Sequence, residues 1–269
     1  MKNNTPAKVL SIAGSDCSGG AGIQADIKTI SAIGCYATTA ITAITVQNTL
    51  GIQDIHYLPG KTISAQIKAV MDDIQPECIK IGMIGKVDAA LAIANTLEKY
   101  NFKHLIIDTI ISSSSGTKLL DDKAFNIMQE RLFPMATLIT PNLCEAKILY
   151  PTTLNNIELM KEAAEKMALK YRCSILVKGG HCDGEEMCDV FYDISNGETK
   201  LFTKKKIDSR NLHGTGCTLA SAIAAYLAKG MNMSEAIGFA KEYVTQGIKK
   251  AQNMQIGNGN GPLWHFLIK

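Results

Sequence analysis

The segment NLHGTGCTLASA, residues 211–222, places two glycines and a cysteine at the beginning of a predicted helix. The first turn of a helix leaves backbone N–H groups without partners, and glycines let an anion approach them closely. We therefore predict that Gly214, Thr215 and Gly216 form an anion hole. Cys217 lies in the same field, which favours the thiolate and lowers the thiol pKa. That thiolate would act as a nucleophile or take the proton of a substrate hydroxyl. The alternative is a small residue packed at a helix start.

Two carboxylates and a lysine lie at the ends of predicted strands. Asp108 follows the apolar run LII, Glu145 lies one turn inside NLCEA, and Lys178 leaves a buried strand before two glycines. Carboxylates at neighbouring strand ends suit a Mg²⁺ that keeps several waters and binds substrate phosphates. Lys178 would contact a phosphate as a point charge. The alternatives are helix-cap or turn carboxylates and a solvated lysine.

Strand-length apolar runs alternate with segments of helical periodicity along the whole chain. Strands are predicted for KVLSIAG, CYATTAITAITVQN, CIKIGMIG, HLIIDTI, ATLIT and SILVKGG, and a hairpin turning at Asn196-Gly197 for MCDVFYDISNGETKLFTKKKI. Helices are predicted for IQADIKTISAIG, TISAQIKAVMDDI, VDAALAIANTLEKY, residues 123–132, PNLCEAKIL, NNIELMKEAAEKMALKY, and two segments beginning near Thr215 and Ser234. This alternation predicts an α/β fold with a central, mostly parallel sheet, helices on both faces and a small β-hairpin element.

Polar and glycine-rich pieces gather at the carboxyl ends of the predicted strands, where open α/β sheets bind their ligands. They are Gly14–Gly22, Gln47-Asn48, Gly82-Met83, Asp108, Asn142–Glu145 and Lys178–Gly180. One shared small-molecule site explains this placement better than six unrelated loops. No linker, repeat or low-complexity block divides the chain, so we predict a single domain over residues 1–269.

Composition and targeting signals narrow the class of protein. The 269 residues carry a net charge of +3 with both signs interspersed, so nothing requires a nucleic-acid or membrane partner. The N-terminal sequence lacks the apolar core of a signal peptide, and we predict a cytoplasmic protein. The eight cysteines include no CxxC pair. His181, Cys182 and Cys188 are the nearest approach to a structural metal cluster, but a fourth ligand and the usual spacing are missing.

Two nucleotide-binding motifs are present only in fragments. Gly20-x-Gly22-x-x-Ala25 matches the dinucleotide fingerprint formally, but TTAITAITVQN lacks the acidic residue expected about 20 positions later. Residues 60–62, GKT, have the ending of a P-loop, but Ile55 stands where its first glycine belongs. The dinucleotide-binding fingerprint is therefore disfavoured, and the P-loop is rejected.

Seven segments in order carry a resemblance over nearly the whole chain: SIAGSDCSGGAGIQADIKT, VQNT, KIGMIG, LITPNLCEA, VKGGH, HGTGCTLASAIAA and GNGNGP. In these segments the sequence resembles the ribokinase superfamily, and within it the hydroxymethylpyrimidine and phosphomethylpyrimidine kinases of thiamine biosynthesis. The resemblance implies a ribokinase-like fold, ATP as co-substrate with Mg²⁺, and a homodimer. It also implies phosphorylation of 4-amino-5-hydroxymethyl-2-methylpyrimidine and then of its monophosphate.

The resemblance also assigns roles to individual residues. Gly214, Thr215 and Gly216 would stabilise the transferring γ-phosphate, and Cys217 would be the general base where most superfamily sugar kinases carry an aspartate. Gln47 matches the pyrimidine-binding glutamine. The remaining matches are Gly14, Ala21 and Met83 lining the substrate pocket with Asp26 nearby, Lys178 and Asn142 at the ATP phosphates, Asp108 and Glu145 near Mg²⁺, and residues 206–212 with the helix after Ser234 flanking the adenine.

The sequence departs from the family pattern in its loops. Cys17 and Cys144 stand where the family has proline, and Asn258 replaces a common histidine. In the lid segment, Thr109 and Ser114 replace a proline and a lysine. The missing lysine puts the efficiency of the second phosphorylation in question.

Three other functions fit parts of the pattern. A pyridoxal or pyridoxine kinase of vitamin B6 salvage has the same fold and acts on a similar hydroxymethyl group. A transferase or hydrolase using Cys217 as nucleophile would need His213, four residues earlier, as its base. A non-catalytic ligand-binding protein would account for the altered lid.

Overall fold

The computed structural model describes residues 5–112, 116–179 and 185–267. Its strands are β1 (Lys8–Asp16), β2 (Tyr36–Asn48), β3 (Gly51–Tyr57), β4 (Cys78–Ile81), β5 (His104–Ile107), β6 (Leu138–Ile139), β7 (Ser174–Val177), β8 (Glu186–Asp193) and β9 (Glu198–Lys205). Its helices are α1 (Gly22–Ala32), α2 (Gly60–Asp73), α3 (Val87–Leu97), α4 (Asp122–Ile127), α5 (Leu143–Leu149), α6 (Ile157–Tyr171), α7 (Thr215–Ala228) and α8 (Met233–Ala251).

The strands of the described chain form one nine-stranded sheet in the order β3-β2-β1-β4-β5-β6-β7-β8-β9. The pairs from β2 to β7 along that order are parallel, whereas β3, β8 and β9 pair antiparallel. The mostly parallel sheet and the β8–β9 hairpin were predicted. The prediction of a single domain over residues 1–269 stays a prediction.

Helices cover both faces of the sheet, as predicted. Successive residues of a strand point to opposite faces, so Leu10 packs in one hydrophobic cluster with α2, α3 and α6, while Val9 packs in the other with α7 and α8. On α2, the fully buried Ile63 and Ile67 lie one turn apart and face the first cluster. The two layers fix the carboxyl ends of the parallel strands along one edge of the sheet.

Two elements differ from the sequence prediction. The edge strand β3 was not predicted, because most of its side chains are exposed or half-buried and its segment GIQDIHY mixes polar and apolar residues. The helix predicted over residues 123–132 ends as α4 at Ile127 and continues as a π-helical turn, Met128–Leu132, and a 3₁₀ turn, Phe133–Met135. Pro134, which lacks an N–H, lies in that 3₁₀ turn.

His181 and Cys182 lie outside the described residues, so the cluster with Cys188 is not tested. Cys188 itself is a free, buried cysteine on β8. In the part of the chain that the structure describes, no three His, Cys, Asp or Glu side chains group as metal ligands. Within the same ranges, none of the helices combines the length and the hydropathy required to cross a bilayer.

Candidate active site

A pocket of about 250 Å³ lies beyond the carboxyl ends of the parallel strands. Its lining includes twelve of the thirteen residues predicted for the site: Gly14, Ala21, Gln47, Met83, Asp108, Asn142, Glu145, Lys178, Gly214, Thr215, Gly216 and Cys217. The pieces proposed to share one site therefore do so. A second pocket of about 520 Å³ lies between residues 204–208 and α8, where the adenine was predicted.

The predicted anion hole is the first turn of α7. Gly214 is its N-cap with φ +80°, and a Cβ at this position would lie 1.9 Å from the Gly20 carbonyl oxygen, so the turn requires glycine. The Thr215 N–H donates to the Leu212 carbonyl at 3.3 Å, and the Thr215 hydroxyl bonds the same oxygen. Among the described residues, the backbone N–H groups of Gly216 and Cys217 have no protein acceptor. The Gly214 N–H likewise has no protein acceptor in the described ranges, so of the three predicted donors only that of Thr215 is already bonded within the turn.

Cys217 lines the pocket but is only 8% exposed. The pKa of its thiol is raised to about 11: burial is the largest cause and the Asp26 and Asp108 carboxylates add to it, whereas the Lys80 charge and the Gly22 N–H oppose them. The prediction that the helix start lowers this pKa is wrong, because the lost hydration of a buried thiolate outweighs the field of the helix. Cys217 is a thiol at neutral pH in the free protein.

Asp108 and Lys178 form an ion pair at the floor of the pocket. Lys178 Nζ donates to Asp108 Oδ1 at 2.7 Å, and the Thr140 hydroxyl donates to the same oxygen at 3.1 Å. Burial favours the neutral carboxyl, but the charges of Lys178 and Lys80 outweigh it and lower the pKa of Asp108. Lys178 was predicted to contact a phosphate as a point charge. Its Nζ lies beside Gly216, where a Cβ would be 3.5 Å away. An anion at the first turn of α7 would therefore meet this ammonium.

Glu145 closes a capping box at the start of α5. The Asn142 side chain accepts from the Glu145 N–H at 2.9 Å, and Glu145 Oε2 accepts from the Asn142 N–H at 2.8 Å. Oε2 also accepts from Thr109 Oγ1 at 3.0 Å, a hydrogen bond that proline at this position would not make. Glu145 is thus a helix-cap carboxylate, the alternative considered for it, and it also faces the pocket. Ser114, the other lid departure, lies outside the described residues.

The two carboxylates fit a hydrated Mg²⁺. No protein donor within the described ranges bonds Asp108 Oδ2 or Glu145 Oε1, so each side chain keeps one oxygen for a cation or its waters. Burial raises the pKa of Glu145, and the Asp108 charge adds to this effect against the opposing charge of Lys178. A bound cation would favour the ionised form of Glu145. Mg²⁺ is usually bound by one or two protein carboxylates together with the substrate phosphates.

Gln47 belongs to a hydrogen-bonded network that sequence reasoning missed. His213 Nε2 lies 2.9 Å from Asp16 Oδ2 and 3.0 Å from Gln47 Nε2. Burial favours the neutral form of Asp16, but hydrogen bonds from His213, Ser18 and the Ala21 N–H lower its pKa to about 2. Because a carboxylate only accepts, His213 Nε2 carries the proton and donates it to Asp16. Gln47 Nε2 would then face a second donor, so we assign the amide with its oxygen toward the ring and its nitrogen away from it. The Gln47 amide nitrogen then faces the pocket as a donor.

Asp26, which was predicted to lie near the substrate pocket, does not line it and so is not placed to contact substrate. It is fully buried and pairs with Lys80, whose Nζ lies 2.8 Å from Asp26 Oδ2. Asp26 lies on the face of α1 that packs against the sheet. A lysine inside the apolar run CIKIGMIG was a signal in the sequence for such a buried partner. The Asp16–His213 contact gave no signal, since its residues are 197 positions apart.

Both cysteines that replace family prolines are exposed. The backbone N–H of Gln47 lies 3.3 Å from Cys17 Sγ, and this sulfur lies 3.1 Å from the Gln47 carbonyl oxygen. Cys17 therefore ties the glycine-rich turn to the end of β2. Cys144 lies in the first turn of α5.

Comparison with known proteins shows the family of the chain. The protein-family model of phosphomethylpyrimidine kinase matches residues 16–264. The chain belongs to this family. Within it, a hydroxymethylpyrimidine/phosphomethylpyrimidine kinase of Rhizobium meliloti is 42% identical over 262 residues, 97% of each chain. A thiamine biosynthesis bifunctional protein of Geobacter sulfurreducens is 41% identical over 259 residues, 96% of this chain, which spans about half (52%) of that relative's length.

Solved structures confirm the ribokinase-like α/β fold of this phosphomethylpyrimidine kinase family member. The crystal structure of a phosphomethylpyrimidine kinase from Clostridium difficile 630 is similar with a TM-score of 0.80 and 41% identity, covering 90% of this chain and 99% of that chain. The Staphylococcus aureus pyridoxal kinase in complex with AMP-PCP and pyridoxal gives 0.86 and 33%, covering 97% and 94%. The fold thus serves both vitamin kinases.

Proposed function

We propose that this protein transfers the γ-phosphate of ATP to the hydroxymethyl group of 4-amino-5-hydroxymethyl-2-methylpyrimidine and then phosphorylates the resulting monophosphate. The observation that carries the proposal is that Gln47, Cys217 and the open N–H groups of α7 line one pocket. An amide that reads a ring, a group that takes a proton and a site for an anion are what this reaction needs. Relatives named hydroxymethylpyrimidine/phosphomethylpyrimidine kinase support this choice of substrate.

In the proposed reaction, the Gln47 amide nitrogen donates to a pyrimidine ring nitrogen and so directs the hydroxymethyl group toward Cys217. The substrate hydroxyl oxygen forms a bond to the γ-phosphorus while the bond to the β-phosphate oxygen breaks and ADP leaves. The hydroxyl proton passes to Sγ of Cys217 in its thiolate form, which becomes the neutral thiol. The Gly216 and Cys217 N–H groups and Lys178 stabilise the charge on the transferred group.

Asp108 and Glu145 are the residues that would hold Mg²⁺, and the bound ion would supply neutralisation of phosphate charge. We expect removal of divalent cations with EDTA to abolish phosphoryl transfer and restoration of excess Mg²⁺ to recover it, measured as ADP release. Glu145→Gln should raise the Mg²⁺ concentration needed for half-maximal rate. Lys147→Gln, on the same helix, is the matched control. An unchanged Mg²⁺ requirement in Glu145→Gln would remove this residue from the site.

Gln47 provides the direct test of the pyrimidine assignment. Replacing it with leucine removes the donor to the ring and leaves a nearly isosteric side chain. We expect KM for the aminopyrimidine alcohol to rise by about 10- to 100-fold, the value of one or two hydrogen bonds lost at a buried site, with KM for ATP nearly unchanged. Gln66→Leu on α2 is the control. Equal increases in both KM values would contradict the role of Gln47.

A pyridoxal kinase is the second candidate. It is favoured by one observation, the likeness of this chain to a Staphylococcus aureus pyridoxal kinase with a TM-score of 0.88 and 33% identity. A donor at Gln47 also suits the phenolic oxygen attached to the ring of a pyridoxal-type substrate. Gln47→Leu should then raise KM for pyridoxal instead, so parallel measurements separate the two candidates.

We further propose that the enzyme is a homodimer, as the resemblance to its family implies, and that it works in the cytoplasm. Light scattering on the purified chain tests the dimer, which predicts a mass of about twice that of the 29.0 kDa chain. A mass equal to one chain at assay concentration would refute it.

A further inference from the structure

A lysine and an aspartate form a fully buried ion pair beneath Cys217. Lys80 on β4 and Asp26 on α1 are both 0% exposed, and Lys80 Nζ lies 2.8 and 3.0 Å from the two Asp26 carboxylate oxygens. The rest of β4 is apolar. Because desolvating two charges costs several kcal/mol, a buried pair of this kind is weakly explained by stability alone. Its position suggests a part in the chemistry.

Asp26 connects the pair to the helix that carries Cys217. Its carboxylate accepts from Ser11 Oγ on β1 at 2.5 Å and from Ser221 Oγ on α7 at 2.6 Å. Ser221 lies one helical turn after Cys217, on the same side of α7. The N–H of Gly22, the first residue of α1, is close enough to lower the pKa of the Cys217 thiol. The helix that carries Cys217 is therefore tied to α1 through the Ser221–Asp26 hydrogen bond.

We propose that the Lys80–Asp26 pair positions Cys217 for proton transfer: Asp26 fixes α7 through Ser221, and the Lys80 ammonium supplies the positive charge that stabilises the thiolate. The inference rests on the proposed role of Cys217 as general base. Lys80 and Asp26 do not line the substrate pocket, and in this proposal they act on proton transfer through Cys217. They are positioning residues.

The charged groups around Cys217 give the pair a distinctive signature. After the dominant effect of burial, the Lys80 charge lowers the pKa of Cys217, whereas the Asp26 and Asp108 charges raise it. Lys178, across the pocket, also interacts with the sulfur. His265, whose Nε2 lies 3.1 Å from the hydroxyl of the neighbouring Thr218, is neutral because burial and the Lys28 charge lower its pKa to about 4. Removing Lys80 and removing Asp26 should therefore shift the pKa of Cys217 in opposite directions.

The test is the pH dependence of Cys217 alkylation by iodoacetamide, followed by peptide mass spectrometry in a Cys17→Ser/Cys144→Ser background. Lys80→Met should move the midpoint to higher pH and Asp26→Asn should move it to lower pH. Below the midpoint, alkylation should become about tenfold slower or faster for every pH unit by which the midpoint moves. Midpoints that move in the same direction, or do not move, would overturn the proposal. The readout needs no turnover, so it stays valid if the substrate assignment fails.

Lys80→Met leaves an unpaired buried carboxylate and risks misfolding. The double variant Lys80→Met/Asp26→Asn buries no charge at this position, and it differs from Asp26→Asn only in the lysine. We expect its midpoint to lie above that of Asp26→Asn. Equal midpoints in these two variants would show that the Lys80 charge does not reach Cys217. Ser221→Ala, which keeps both charges, should move the midpoint little and should lower kcat by displacing α7.

Discussion

Replacing Cys217 with alanine is expected to lower kcat by about 10²- to 10⁴-fold, the contribution of a positioned general base. The pocket and the anion hole remain, so KM for ATP and for the aminopyrimidine should change little. Cys217→Asp should retain part of the activity, because a carboxylate can accept the same proton. The control is Cys35→Ala, which removes another buried cysteine from the opposite end of the sheet.

The pH profile separates a base from a nucleophile. Because burial raises the pKa of Cys217 to about 11, the thiolate fraction falls as pH falls below that value. The wild-type kcat/KM should therefore rise nearly tenfold per pH unit between about pH 7.5 and 9.5, since this ratio reports ionisations of the free enzyme. Cys217→Asp should be flat over the same range. A covalent adduct on Cys217, together with an inactive Cys217→Asp, would instead establish a nucleophile.

Two alanine substitutions in the anion hole are expected to have different kinds of effect. Gly214→Ala places a Cβ at φ +80° and 1.9 Å from the Gly20 oxygen, so it should lower the free energy of unfolding by at least about 1–3 kcal/mol. At Gly216 a Cβ would lie 3.4 Å from Asp108 Oδ2, which the fold tolerates. Gly216→Ala should therefore fold normally but lower kcat by about 10²- to 10³-fold, because its methyl group occupies the approach to the N–H donors.

Thermal unfolding and steady-state kinetics on the two variants provide the comparison. The expected result is a clear drop in Tm for Gly214→Ala alone and a drop in kcat at unchanged Tm for Gly216→Ala. The control is Ala220→Gly, later in α7, which exchanges alanine and glycine in the same helix away from the anion hole. Full activity in a stable Gly216→Ala would mean that phosphate does not bind at the first turn of α7.

The sheet and the position of the pocket were accessible to sequence reasoning because both follow from patterns over many residues. Apolar runs such as HLIIDTI alternate with helical periodicity, and every parallel strand delivers its last residues to the same edge. Strand β3 escaped because an exposed edge strand has no such pattern. Asp108, Glu145 and Lys178 were found because each follows a strand.

The electrostatics of the site were harder to predict. The field at the start of α7 is visible in the sequence, but the burial that raises the pKa of Cys217 depends on how α1, β4 and α7 pack. The same packing places Asp26 in a buried ion pair with Lys80 instead of beside the substrate pocket. His213 and Asp16 meet across most of the chain, and only the closed fold places them beside Gln47. Distant contacts, and the dehydration they cause, set these properties.

The central claim is tested most directly by measuring kcat/KM for phosphoryl transfer from ATP·Mg²⁺ to the aminopyrimidine alcohol, to its monophosphate and to pyridoxal, each separately. We expect efficient transfer to both pyrimidines and weaker transfer to pyridoxal. Transfer to the alcohol alone would confine the enzyme to the first phosphorylation. The loss of the second step would then be attributed to the replacement of the family lysine by Ser114. Transfer to pyridoxal without either pyrimidine would contradict the proposed function and the role given to Gln47.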